Sequence, residues 1–253
     1  MTGSRGFIGR NLLVRLEELG FYDILTFNRN DSLKLLPCLV ERADSIIHLA
    51  GEMRPADEAQ FFSSNVSLTR IVCELIENSG KVKPLLLAST IQAGNDSAYG
   101  LSKLLAEQTV TKLANVSANA VMIYRLSHVF GRWCRPNYNS VIATFCYNIS
   151  RDIPVKINDP NAFITPVYAN DVVTEFVRAI SAARGGLYFG EVSPVYRITV
   201  GELARLIYSF KSAVNSGQPP KMPSGFARAL FSTYISYSCP SPISPLRAET
   251  RAD

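Results

Sequence analysis

The sequence predicts an α/β fold, a parallel, doubly wound sheet with helices on both faces and a small lobe toward the C-terminus. Three observations carry that expectation. Apolar strand-like runs alternate with helix-period segments through the first half of the chain. Runs such as "LLLA" are apolar without interruption, as strands are when both faces of their sheet are covered. Three glycines, Gly3, Gly6 and Gly9, stand at the head of the first helical segment.

Each element follows from local pattern. "FIGRNLLVRLEEL" (7–19) puts Ile8, Leu12, Leu13 and Leu16 on one stripe and reads as an amphipathic helix. "DILTF" (23–27) reads as a buried strand, and "SLKLLPCLVERA" (32–43) as a short helix started or interrupted by Pro37. "DSIIHLAG" (44–51) is a strand ending at Gly51. "NVSLTRIVCELIENSG" (65–80) is a helix with Val66, Val72, Leu75 and Ile76 inward and Gly80 past its end. Strand "KPLLLAST" (83–90), long helix "AYGLSKLLAEQTVTKLA" (98–114) and strand "NAVMIYRLS" (119–127) complete the first half.

From Gly131 the rhythm loosens. Segments 137–150 and 170–183 read as helices, with "VKIN" (155–158) and "PVYA" (166–169) as short strands between them. "TVGELARLIYSFKSA" (199–213) is a helix with Thr199 and Glu202 at capping-box spacing. The chain is therefore divided into a nucleotide-binding domain over 1–237, with its substrate lobe over about 131–237, and a tail over 238–253. That tail carries three prolines without periodicity and is expected to be disordered.

Composition limits the function. The chain has 253 residues and a formal net charge of +5, with the basic residues scattered. Scattered charge suits small anionic ligands, whereas a nucleic-acid surface would need clustering. No apolar run reaches the length that crosses a bilayer, and the N-terminus has no signal-peptide pattern, so a cytoplasmic enzyme without a membrane partner is expected. Five cysteines with no CxxC pair, and only His48 and His128, give no metal set and fit reduced thiols.

The glycine triplet supplies what a dinucleotide pyrophosphate needs: a tight turn, a close backbone approach and close helix packing. The N-terminus of the following helix (Phe7, Ile8, Gly9) faces the negative charge. At the end of the second strand, where a carboxylate would grip an NAD ribose, the sequence has Asn28, Arg29 and Asn30. A guanidinium binds a 2′-phosphate, so NADP(H) is expected over NAD(H), with Asp31 keeping NAD(H) as the lesser option. The alternative reading of Arg29 is a solvated loop residue.

Tyr99 and Lys103 stand four apart on one helix and so share a face. An ammonium there favours the ionised phenol and makes Tyr99 a usable acid or base. Ser89 and Thr90 end the preceding strand, where a hydroxyl could hold a carbonyl.

The order of the glycine loop, "HLAG", Asn65 in "NVS", "LAST", Tyr99/Lys103 and "YRLSHVFG" resembles the extended short-chain dehydrogenase/reductases, the NAD-dependent epimerase/dehydratase family. "GRWCRPNYNSVIATFCYNISRDIPVKINDPN" and "FSTYISY" are similar to the capsular-polysaccharide sugar-nucleotide reductases within it, over residues 2 to about 237. The resemblance implies a Rossmann-type sheet and NADPH reduction of a UDP-linked 4-keto-6-deoxy-N-acetylhexosamine on the way to N-acetyl-L-fucosamine. It further implies that Leu49, Ala50 and Gly51 line the adenine and ribose side. Ser89, five residues before Gly94, would position the ketone in preference to Thr90, with Tyr99 donating the proton and Lys103 tuning Tyr99 and binding the ribose. His128 stands where relatives usually have Asn touching cofactor or substrate. Trp133, Arg135 and Tyr138 fall in the substrate loop, with loop packing the equal alternative. His48 is read as structural, and Asp171 as an N-cap or structural carboxylate. A homodimer through the 98–114 helix is the candidate assembly.

Relatives carry a further strand before the glycine loop and a cupin domain after about residue 237. The sequence here has Met1 and Thr2 on one side and "CPSPISPLRAETRAD" on the other. A late start and a downstream frameshift would account for both, with a loosely held glycine loop as the expected result. The competing readings are an NAD-dependent nucleotide-sugar epimerase or dehydratase, and a non-catalytic dinucleotide-binding protein or remnant. A dehydratase would want a carboxylate beside the strand-end hydroxyl, and "STIQAG" has none.

Overall fold

In the computed structural model, residues 1–238 are described; of the tail expected over 238–253, Ser238 ends the last helix and the rest lies outside the described residues. The helices are α1 (Phe7–Glu18), α2 (Leu36–Arg42), α3 (Ala59–Phe61), α4 (Leu68–Asn78), α5 (Ala98–Val116), α6 (Val141–Ser150), α7 (Ala169–Ser181), α8 (Val200–Asn215) and α9 (Gly225–Ser238). The strands are β1 (Ile46–His48), β2 (Leu85–Thr90), β3 (Ala120–Leu126), β4 (His128–Phe130), β5 (Phe163–Ile164), β6 (Pro166–Tyr168), β7 (Gly186–Gly190) and β8 (Ile198–Thr199).

β1, β2, β3 and β7 lie side by side in that order, all parallel. Parallel neighbours need crossovers, and helices supply them. The central sheet is Rossmann-type, covered on both faces. Alternate residues of β2 and β3 serve opposite cores. Leu85, Leu87, Val121 and Ile123 pack with residues of α2, α4 and α5, such as Val40, Ile76 and Val110. Leu86, Met122 and Tyr124 pack with Leu12 of α1 and with Val172, Val173 and Phe176 of α7. The continuous apolar runs of the sequence are the result.

The first two residues take a central place in this sheet. Thr2 bridges Phe27 on one side and His48 on the other, both in parallel. Its N–H donates to Ile47 O at 3.0 Å, and Phe27 N–H donates to Met1 O at 2.9 Å. The expected strand 23–27 is reduced to the bridge at Phe27. Its pairing partner is the stub of Met1 and Thr2, which meets it around Phe27. From this stub the chain winds first to the Phe27 side, then crosses to β1 and on through β2, β3 and β7. The stub is therefore the point where strand order reverses, and ligands of open α/β sheets bind at the carboxyl ends of such strands.

Two compact units make up the chain, the first containing Met1–Trp133 and Phe163–Ile198, the second Cys134–Ala162 and the chain from Thr199. This corrects the expected boundary. The stretch 131–237 is not one lobe, because 163–198 returns to the sheet unit as α7 and β7. The cause is the apolar face Val172, Val173 and Phe176, which is buried against α1 and the sheet. In the second unit α8 begins with the expected capping box, Thr199 with Glu202. Segment 155–158 is not a strand. In α7 the N-cap is Tyr168, so Asp171 sits inside the first turn and is not the cap.

Candidate active site

The glycine loop has a backbone reason for each glycine. Gly3 has φ +71, and a Cβ there would lie 2.7 Å from Ala50 N. A Cβ on Gly9 would overlap the Gly3 carbonyl oxygen and lie 2.7 Å from Ser4 Cα. Gly6 donates to Gly3 O at 3.0 Å and is the N-cap of α1, with no side chain capping the helix. The first-turn N–H groups of Phe7, Ile8 and Gly9 are left for another acceptor, and a helix N-terminus favours an anion. The empty Cβ positions and the uncapped turn form a cradle that fits a pyrophosphate.

The loop is held from the second-strand end. Asn28 Oδ1 accepts from Ser4 Oγ and from Arg5 N, each at 3.0 Å, while its own N–H donates to Asp31 Oδ2 at 2.7 Å. Asn28 and Asp31 are thus engaged in the loop itself. Arg29 is different. Its side chain is 77% exposed and ion-paired to Glu52, which follows Gly51.

Leu49, Ala50 and Gly51 run past this loop. Leu49 N donates to Thr2 O at 3.3 Å, and Ala50 N to Thr2 Oγ1 at 3.1 Å. Thr2 Oγ1 donates to His48 Nδ1 at 2.7 Å. His48 Nε2 lies 2.9 Å from Thr69 Oγ1, which itself donates to Asn65 O at 2.6 Å, so the proton sits on Nε2. His48 is fully enclosed, and burial pushes its pKa down to about 3, with Lys103 adding to the effect. It is a neutral, doubly satisfied histidine. Asn65 lies in a π-helical turn (Phe62–Ser67) before α4. Its side chain accepts from Glu52 N at 2.7 Å and donates to Ser102 Oγ at 2.9 Å. One chain of hydrogen bonds therefore runs from Thr2 to α5.

α5 carries Tyr99 and Lys103. Ser97 caps it by accepting from Gly100 N at 3.0 Å. Gly100 lets the first turn close on the 91–95 turn, since a Cβ there would meet Gln92 O at 2.5 Å. The Tyr99 ring leans on Phe61 at 5.8 Å, and Thr90 is the side chain that acts on its hydroxyl. Burial holds the Tyr99 pKa above its ordinary value, and Thr90 acts in the opposite direction. The sequence reading expected a phenol biased toward ionisation; in the fold burial outweighs Thr90 and keeps Tyr99 protonated. Lys103 is buried, donates to Ala88 O at 2.8 Å, and has its pKa lowered by burial to about 8, with Glu107 opposing the fall.

The strand-end hydroxyl also differs from the expectation. Ser89 Oγ donates to Glu107 Oε1 at 2.5 Å. The alternation of β2 explains this, for Ser89 belongs to the series of Leu85 and Leu87 that lies beneath α5. Thr90, the last residue of the strand, is the hydroxyl on Tyr99. Glu107 was not singled out in the sequence, although it stands four residues past Lys103 and the same face was legible.

His128 is exposed on β4. Trp133 has φ +68 and lies between the guanidiniums of Arg132, at 4.5 Å, and Arg10, at 5.9 Å. Both residues belong to the sheet unit. Arg135 stacks on Tyr138 at 4.9 Å within the second unit. Among the described residues no cluster of three His, Cys, Asp or Glu side chains could hold a metal ion, and no helix is long and apolar enough to cross a membrane.

A glycine cradle at the reversal point, a tyrosine, a lysine and a strand-end hydroxyl form a recognisable set, and comparison with known proteins decides its family. The model of the NAD dependent epimerase/dehydratase family matches residues 1–189. The chain belongs to that family. As an epimerase/dehydratase family member it is 44% identical over 237 residues to the UDP-2-acetamido-2,6-beta-L-arabino-hexul-4-ose reductase of Pseudomonas aeruginosa. That match covers 94% of this chain and 64% of the reductase. The crystal structure of the capsular polysaccharide assembling protein CapF from Staphylococcus aureus superposes with TM-score 0.80 at 37% identity, over 93% of this chain and 63% of CapF. The chain thus spans a little under two-thirds of both relatives. The UDP-glucose 4-epimerase of Thermus thermophilus, in complex with NAD, shares the fold alone, with TM-score 0.74 at 17% identity over 93% of this chain and 97% of that one.

Proposed function

We propose that this chain is the reductase region of a nucleotide-sugar reductase. It reduces the 4-keto group of a UDP-linked 2-acetamido-2,6-dideoxyhexulose with NADPH, in the cytoplasm, for capsule or O-antigen assembly. The observation that carries the reading is the meeting of Tyr99 with Thr90, with Lys103 one turn further along α5. The 44% identity to a reductase of such a sugar supports the substrate class, and the likeness to the capsular polysaccharide assembling protein CapF supports the capsule setting.

A bound NADPH supplies the hydride. The chain's own residues do the rest. The cradle of Gly3, Gly6 and Gly9 accepts the pyrophosphate. Tyr99, held protonated by burial, is matched to giving a proton to the ketone oxygen as that oxygen gains charge. Thr90 orients the phenol and shares that oxygen. Lys103 holds the ribose and supports the tyrosinate left behind. Arg29 is the reader of the 2′-phosphate. Its exposed side chain pairs with Glu52 through one nitrogen and can exchange it for a phosphate, which a guanidinium binds through two N–H groups. His128 and Trp133 remain proposed substrate contacts, as do Arg135 and Tyr138, and a homodimer the proposed assembly.

Fluorescence titration with NADPH and NADH, followed by turnover of the UDP-4-keto sugar, tests the reading. NADPH should bind at least about tenfold tighter, and Arg29→Ala should remove that preference. Tyr99→Phe should lower turnover by about 10²–10⁴-fold with dinucleotide binding kept. Unchanged turnover in Tyr99→Phe, or binding of neither dinucleotide, overturns it.

A further inference from the structure

Beneath the proposed site lies a second charged cluster that the chemistry above does not use. Glu107 is 3% exposed, a carboxylate in the core. Arg125 grips it with Nε at 3.0 and 3.2 Å from its two oxygens and Nη2 at 2.6 Å from Oε2, and Ser89 donates to it at 2.5 Å. Ser89 and Arg125 are register partners on β2 and β3, directly opposite one another. Two strands thus present one hydroxyl and one guanidinium side by side, and α5 lowers one carboxylate onto both.

The same helix carries Lys103 one turn before Glu107, and both side chains fasten to consecutive residues of β2. Lys103 donates to Ala88 O, and Glu107 accepts from Ser89. The charged and titratable groups around Lys103 are few. Tyr99 and Glu107 come from α5, the neutral His48 from β1, and Arg125 from β3 behind Glu107. The π-turn before α4 offers the uncharged Asn65, and Gly51 faces the ammonium from the turn after β1. Among the described residues Glu107 is the acid that acts on the buried ammonium, and it opposes the effect of burial. An isolated ammonium in the core is costly unless it is paired.

We propose that Glu107 is a positioning residue of the site, the buried counter-charge that keeps Lys103 charged and in place, with Ser89 and Arg125 holding Glu107 for that task. Ser89 therefore acts through Glu107 and Lys103, whereas Thr90 meets the reacting oxygen. An ion pair that merely ties β3 to α5 would leave the Lys103 titration untouched.

The proposal rests on reading Lys103 as the cation of the site, yet its test needs neither cofactor nor turnover. The chain is labelled with carbon-13 at lysine Cε and titrated by NMR, with the Lys103 signal assigned by its loss in Lys103→Arg. Glu107→Gln keeps the shape and an acceptor for Ser89 but removes the charge. It should lower the Lys103 midpoint by about one pH unit or more, a tenfold change in ionisation constant. Arg125→Gln should move the midpoint upward, because the carboxylate is then left to Lys103. An unmoved midpoint in folded Glu107→Gln overturns the proposal. If that buried variant does not fold, Arg125→Gln decides alone, its side chain being 43% exposed, and a midpoint there that stays or falls overturns the proposal. A shifted midpoint together with a wild-type chain that turns over no UDP-4-keto sugar would leave this proposal standing and remove the proposed function.

Discussion

Thr90 and Ser89 show how one residue of strand register divides two roles. They are neighbours, both buried and both hydroxyls, yet one meets Tyr99 and the other Glu107. A strand turns successive side chains to opposite faces, so adjacent hydroxyls cannot share a partner across the sheet. Thr90→Val is expected to lower kcat by about 10–100-fold, since it removes the partner of the acting phenol. Ser89→Ala is expected to cost less than about tenfold, because Arg125 still holds Glu107. Steady-state kinetics on the two variants checks the order, and a larger loss in Ser89→Ala would restore Ser89 as the ketone-holding hydroxyl. The pattern YxxxK was legible in the sequence. Glu107 was present in the same helix stripe, but its meaning depended on Arg125, 18 residues away on another strand.

At the scale of elements, the glycine loop and α1 form a unit whose glycines are required by contact as well as by backbone angle. Gly9 has no need of a positive φ; it is glycine because Gly3 and Ser4 occupy the space a Cβ would take. Gly9→Ala should therefore push α1 away from the loop and weaken dinucleotide binding by at least about tenfold, as close backbone approach to pyrophosphate is lost. Fluorescence titration of the variant checks this, with unchanged affinity counting against the cradle. Most helices were placed well by periodicity. The weak elements were strands 23–27 and 155–158, where apolar character alone suggested a ladder. A strand exists only with a partner, and a bridge to Thr2 is all that the first of these has.

At the scale of the whole molecule, the hydrogen-bond chain through His48 ties the central stub, β1 and the π-turn before α4 together, and it makes stability depend on pH. His48 is neutral in the fold with a pKa of about 3, below its ordinary 6.5. Between those values the unfolded chain binds the extra proton, so stability is lost as pH falls from 6.5 toward 3. Lowering the pH from 7 to 5 should cost about 2 kcal/mol from this residue. Thermal melts of the wild type and His48→Gln across that range check it. The variant should show a shallower decline, and equal slopes would remove His48 as the cause.

The alternation of strand and helix, the glycine triplet, the Tyr99–Lys103 face and the capping box of α8 can all be read along the chain. All of these depend on neighbours within a few residues, where helix and strand periodicity decide which side chains share a face. The place of Met1 and Thr2 inside the sheet, the return of 163–198 to it, the burial that keeps Tyr99 protonated and the bond from Ser89 to Glu107 emerge only in the folded chain. Each of these is set by a partner distant in sequence, or by burial. Neither has a local pattern, since desolvation and cross-strand register come into being only when the sheet has formed.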